Sequence, residues 1–132
     1  MATETTTTGD GMTGEMQTPG TTGYFTTEQL RAASVVPGAI FRFVAGERLM
    51  ALHGTLEPNA SLPLHSHPHE QITYVLTGSV AFQVGDERRE MRPGDGLVIL
   101  GGVMHGAVQV GDEGATIFEI FTPIREEYAK HL

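Results

Sequence analysis

The stretch Leu64-His65-Ser66-His67-Pro68-His69-Glu70-Gln71 holds three of the chain's six histidines within five residues. Imidazole nitrogens are ligands for divalent transition ions. On an extended strand, side chains two apart share a face, so His65 and His67 would present two imidazoles side by side. Gln71 keeps their parity. Far downstream, His105 follows Gly101-Gly102-Val103-Met104 and opens another extended run, where a neighbouring strand would set it opposite the pair. A lone His-x-His pair is weak. Flanked by turn residues and joined by a distant histidine, it points to a metal site.

Two further residues carry chemistry. Glu119 and Phe121 alternate with Phe118 and Ile120 in an apolar run, so either set faces the interior. An inward Glu119 would be a pocket acid or base. Arg125, beyond Pro123, has the bidentate guanidinium suited to a carboxylate. His53, Tyr74, Phe82 and Met104 read more simply as packing residues, and Asp95 as a turn residue.

These residues must be held by short strands. Apolar runs at Ile40–Val44, Leu49–Leu56, Ile72–Leu76, Val80–Val84, Leu97–Leu100, Val108–Val110 and Ala115–Phe121 alternate with Gly, Pro, Asn and Asp turn signals. That spacing predicts an all-β sandwich or barrel. No space remains between the runs for the helices of a parallel βαβ sheet. Thr26 and Gln29 have capping-box spacing, so a short helix is expected through Leu30, Ala32 and Ala33, ending at Pro37-Gly38. Residues 1–23 are rich in Thr and Gly and lack Ile, Leu, Val, Phe and Tyr. Such a segment buries too little apolar surface to offset its ordering entropy and is expected to be a disordered tail. Residues 24–132 then form one domain.

Composition narrows the partners. The 132 residues carry 8 basic and 16 acidic side chains, a net charge of −8, and no cysteine. Thiolate metal sites and disulfides are excluded. Without a basic patch to neutralise phosphates, nucleic acid and anionic membranes are not expected partners. With no membrane-spanning run and no signal-peptide pattern, a cytoplasmic location is expected.

In register, the motifs resemble those of the cupin superfamily. His65, His67, Gln71 and Gly78 occupy the H-x-H, acidic and final glycine places of its first motif. Gly94, Leu100, Gly102, His105 and Gln109 fall at the places of its second motif. Gln71 stands for the usual Glu, Leu100 for Pro and Gln109 for Asn, and the leading glycine of the first motif is missing. The resemblance covers about residues 36–125. It implies a jelly-roll β-barrel with one divalent transition metal, such as Zn, Ni, Fe or Mn, held by His65, His67, Gln71 and His105. Glu70 competes for Gln71's place, but has the wrong parity and leaves seven residues before Gly78. His69 has the right parity, although Pro68 interrupts the pleat beside it.

The segment Phe121-Thr122-Pro123-Ile124-Arg125-Glu126-Glu127-Tyr128, with His-Ser-His-Pro-His-Glu-Gln, resembles the small cupins of the pectin-degradation KdgF type. The resemblance implies conversion of 4,5-unsaturated monouronates to linear keto forms, with Glu119, Phe121 and Arg125 lining the active site. The family's acid is usually Asp, one methylene shorter than Glu119. A small anionic substrate and a homodimer are expected, the apolar Ile40–Val44 strand otherwise leaving an unpaired edge. The alternatives are a metal-dependent dioxygenase and a non-catalytic small-molecule-binding cupin.

Overall fold

The computed structural model describes residues 16–132. Seven strands form one antiparallel sheet: β1 (Ala32–Ala33), β2 (Ala39–Ala45), β3 (Met50–Leu56), β4 (Glu70–Val84), β5 (Glu87–Met91), β6 (Gly96–Ile99) and β7 (His105–Thr122). Its order is β1-β2-β3-β7-β4-β5, with β6 pairing β4 as a branch.

The expected barrel is not formed. The sheet runs as an open path from β1 to β5, with no strand pair joining those ends among the described residues. Closure needs hydrogen-bonded partners all the way round. Instead, the pairing of β4 with β7 is interrupted by register shifts, and apolar side chains are buried on one face of the sheet. Phe41 and Phe43 of β2, Met50 and Leu52 of β3, Val75, Val80 and Phe82 of β4, and Ile117 and Phe121 of β7 are all buried there. Each such side chain is worth roughly 1.5–3 kcal/mol on burial.

Two pairs of expected strands are single long ones. Ile72–Leu76 and Val80–Val84 are continuous in β4, and Val108–Val110 and Ala115–Phe121 in β7. Their Gly-containing junctions are bulges, not reversals. Gly78 pairs with Ala115 and Val80 with Val110, so one residue of β4 opposes four of β7. Gly78 has φ +74°, and a Cβ there would lie 2.0 Å from the Gly114 carbonyl oxygen. Only glycine fits this crossing. Strand β5 is charged and carries no apolar run that would announce it.

The expected N-terminal helix is replaced by a single 3-10 turn, Thr27–Gln29. Its capping box is present: the Gln29 amide donates to Thr26 Oγ1 (3.3 Å) and the Thr26 amide to Gln29 Oε1 (2.9 Å). Ala32 and Ala33 are not helical. They pair with Arg42 and Phe41, because sheet pairing outweighs the small intrinsic helix preference of alanine. Strand β2 is therefore flanked by β1 and β3, and Ile40–Val44 is not a free edge. Of the segment expected to be a tail, residues 1–15 lie outside the described residues. Residues 16–23 contain no helix or strand and reach the end of β2, where Gly20 N and Gln17 Nε2 donate to the Ala45 carbonyl. At the other end, a 3-10 helix (Glu126–His131) lays Tyr128 on Phe43, ring centroids 4.7 Å apart.

Candidate metal centre

The histidine-rich segment is not a regular strand. Pro63 and Pro68 cannot donate to a ladder, and only His65 forms a bridge, exchanging two 2.9 Å backbone hydrogen bonds with His105. Close approach of the two chains depends on Gly106, where a Cβ would meet the Pro63 carbonyl oxygen at 2.9 Å. The Gly102 amide donates to the His67 carbonyl (2.8 Å) and ties the loop before β7 to the same segment.

The result brings one ligand atom each of His65, His67 and His105 within 4.8 Å of one another. His67 and His105 are buried and His65 is exposed. Each ring has its Nδ1 on a backbone carbonyl: His65 on Pro63 (3.1 Å), His67 on His69 (3.1 Å) and His105 on Val103 (2.8 Å). A carbonyl only accepts, so each Nδ1 carries the proton and each Nε2 offers a lone pair. This is the usual anchoring of metal-ligating imidazoles. Burial pushes the His67 pKa down to about 4, helped by the Arg125 charge, and lowers that of His105 as well. Both rings are thus neutral and ready to ligate at pH 7. The Nε2 of His105 is buried with no hydrogen-bond partner. An orphaned lone pair facing two other imidazoles is what a divalent transition ion would satisfy, so the residues present fit the expected metal.

Gln71 lies on β4 with its Oε1 3.0 Å from His67 Nε2. Its amide nitrogen donates to Thr73 Oγ1 and to Glu119 Oε2, both at 2.8 Å. Thr73 Oγ1 donates in turn to Glu119 Oε2 (2.7 Å). Glu119 sits on β7 opposite Thr73, facing inward with Ile117 and Phe121. Burial raises its pKa, against the hydrogen bonds from Thr73 and Gln71 and the Arg125 charge.

Arg125 is buried at 7% exposure, its guanidinium 4.3 Å from the Tyr128 ring and 5.1 Å from the Phe121 ring. Its Nε and Nη2 donate to Glu127 Oε2 at 3.1 and 2.7 Å. His65, Gln71, His105, Glu119, Arg125 and Tyr128 share one cavity of about 240 Å³, whose remaining wall includes Phe41, Leu62, Phe82 and Ile117.

Sequence reasoning therefore located residues that the fold brings together. Phe121 differs in detail: it is buried beneath Arg125 and edge-on to His67, and is not part of the cavity wall. His69 is buried with its Nδ1 unpaired, outside the converging trio. Glu70 is exposed. Tyr74 is half exposed on the outer face, and Asp95 accepts from the Arg92 amide in a turn, as its type suggested. Sequence reasoning missed Thr73 and Tyr128. The parity of Thr73 with Gln71, and the one-turn spacing of Tyr128 from Arg125, were the available signals.

Comparison with known proteins agrees with this geometry. The chain is 34% identical over 65 residues to the pectin degradation protein KdgF of Dickeya dadantii (strain 3937), a match spanning 48% of this chain and 58% of that relative. It therefore spans less than two thirds of that protein's length. The solved structure of KdgF from Halomonas sp. superposes with a TM-score of 0.75 at 28% identity, over 81% of this chain and 98% of that one. An RmlC-like cupin from Shewanella frigidimarina NCIMB 400 superposes equally well, with a TM-score of 0.75 at 24% identity, over 83% of this chain and 97% of that one, and shares the fold. The Cupin_2 family, a cupin domain, matches residues 52–121, more than half of the chain and the stretch that carries all three converging histidines. With that family model matching more than half of its length, the chain belongs to the cupin domain family.

Proposed function

We propose that the protein is a metal-dependent isomerase converting a small unsaturated uronate to its linear keto form. The observation that carries this reading is the sharing of one small cavity by His65 and His105 of the histidine cluster, a buried carboxyl and a buried guanidinium. His65, His67, His105 and the Gln71 oxygen would hold the metal. All four ligands are uncharged, so a bound divalent ion would keep its full charge toward the cavity and polarise an oxygen of the substrate.

The protein's own residues supply the rest. Arg125, resting against the Tyr128 and Phe121 rings, meets the substrate carboxylate. Glu119, with Oε2 held by Thr73 and Gln71, moves the proton. Opening the ring breaks the hemiacetal carbon–oxygen bond and moves the hydroxyl proton to the released oxygen, giving an aldehyde and an enol. The enol then loses its O–H proton and gains one at carbon, so no atom is gained or lost, and one carboxyl facing the cavity can accept a proton and return it. The similarity to KdgF proteins favours this substrate class. The test is the decay of unsaturated-uronate absorbance with metal-loaded protein. We expect decay well above the uncatalysed rate, without oxygen uptake. An uncatalysed rate would refute the reading, and oxygen consumption would move the protein to the oxidative class.

We further propose a homodimer. On the outer face of the sheet, Ile120, Ile72 and Val98 form one cross-strand row, and Phe118 and Tyr74 the next. Ile72, Tyr74 and Val98 are 48%, 50% and 59% exposed. An apolar sheet face of this kind suits face-to-face packing on a second copy.

A further inference from the structure

The chemistry of the cavity depends on a chain of contacts that runs from the histidines to Glu119 through two residues of β4. His67 Nε2 lies 3.0 Å from Gln71 Oε1, the amide nitrogen of Gln71 lies 2.8 Å from both Thr73 Oγ1 and Glu119 Oε2, and Thr73 Oγ1 lies 2.7 Å from Glu119 Oε2. Thr73 is fully buried, and Gln71 is 3% exposed. The chain has one direction. The Gln71 amide can turn its oxygen toward the imidazoles only while both of its N–H groups have acceptors on the other side. Thr73 oxygen and Glu119 Oε2 are those acceptors. The Thr73 hydroxyl accepts one N–H and spends its own proton on Glu119.

We propose that Thr73 and Gln71 are a positioning pair that ties the metal centre to the Glu119 carboxyl, and that Glu119 is the reason position 71 carries an amide. A carboxylate at 71 has no N–H to give to Thr73 Oγ1 and Glu119 Oε2, so its oxygen would face the Glu119 oxygen acceptor against acceptor. Gln71→Glu therefore does not simply restore the commoner cupin ligand. It removes both hydrogen bonds that the Gln71 amide donates and leaves Glu119 without that partner. Swapping the pair, Gln71→Glu with Glu119→Gln, restores one amide facing one carboxylate.

The proposal concerns the same site as the function proposed above, and its first test does not need that function. Metal affinity is measured by isothermal titration of Zn²⁺ into metal-free wild type, Gln71→Glu, Glu119→Gln and the double variant, with thermal melts confirming folding. We expect Glu119→Gln to leave affinity within about threefold when made in the wild type, and to raise it by about tenfold or more when added to Gln71→Glu, the scale of one charge-assisted hydrogen bond. Equal effects in both backgrounds would overturn the coupling. A second test follows Thr73. With the uronate substrate, Thr73→Val should lower kcat roughly tenfold or more with KM unchanged and should weaken Zn²⁺ binding, because Gln71 loses one of its two acceptors, and Thr73→Ser should restore both. Wild-type kcat in Thr73→Val, or no rescue by serine, would remove Thr73 from the pair. If wild-type protein leaves the uronate untouched, the function fails alone, and the affinity comparison still decides the coupling.

Discussion

At the residue scale, the site combines neutral imidazoles with a buried acid, and their pH responses oppose each other. His67 is pushed down to about 4 from the ordinary 6.5, and His105 moves in the same direction. Between those pH values the unfolded chain binds protons that the folded chain does not, so stability rises with pH across the window and is lost as pH falls through it. Glu119 acts against this above about 4.5, because its raised pKa leaves a proton on the folded chain that the unfolded chain releases. Thermal melts of metal-free protein should therefore show a steeper rise in Tm from about pH 4.5 to 6.5 in Glu119→Gln than in wild type. Replacing His65, His67 or His105 by Ala should strip the metal, while Gln71→Ala should weaken it less, since imidazole outranks a neutral amide oxygen for these ions; elemental analysis of purified variants checks this. Arg125→Ala should raise KM more than it lowers kcat, because the substrate carboxylate is charged before and during reaction. Glu119→Gln should lower kcat by roughly 10²–10⁴-fold with substrate affinity kept. Steady-state kinetics of the two variants separates these roles, and wild-type rates in both would make the C-terminal segment purely structural.

At the element scale, β4 and β7 do most of the positioning. Strand β4 supplies Gln71 and Thr73, β7 supplies His105 and Glu119, and their pairing sets Thr73 opposite Glu119 and Gln71 opposite Phe121. A slip of β4 by one residue would turn Gln71 and Thr73 to the outer face, away from Glu119. The register is pinned by the bulge at Gly78, whose missing Cβ admits the Gly114 carbonyl. Gly78→Ala should therefore destabilise the fold by about 3 kcal/mol or more, combining a positive φ with a clash against backbone. Urea unfolding measures this. A loss below about 1 kcal/mol would show that the bulge relaxes freely. The 3-10 helix Glu126–His131 is the second positioning element, since it carries the Tyr128 ring on which Arg125 rests.

At the scale of the whole molecule, one face of the sheet holds both the core and the cavity, and the other carries the exposed apolar side chains of Ile72, Tyr74 and Val98. No helix among the described residues is long and apolar enough to cross a membrane. The exposed Ile72, Tyr74 and Val98 instead suit a second copy of the chain. Sedimentation velocity at micromolar concentration should give a dimer, and Ile72→Glu with Val98→Lys should give a folded monomer. A wild-type monomer would mean that this face has another use.

Local signals were legible in the chain itself. The His65, His67 and His105 spacing, the Thr26–Gln29 capping box, and the apolar runs of β2 and β3 depend on neighbouring residues or on motif register, so they could be read before folding. Glu119 was identified as a candidate, but its sense was not, because an alternating strand has two faces and parity alone does not say which is buried. Burial against β3 and β4 decided it. Turn residues misled at Thr77-Gly78 and Gly111-Asp112, where a glycine with room for a crossing backbone makes a bulge as readily as a reversal. Whether the sheet closes is also beyond local pattern, since closure depends on pairing between strands distant in sequence. The hydrogen-bond direction through Gln71 and Thr73 was decided only by tertiary structure, because it requires acceptors from two strands at once.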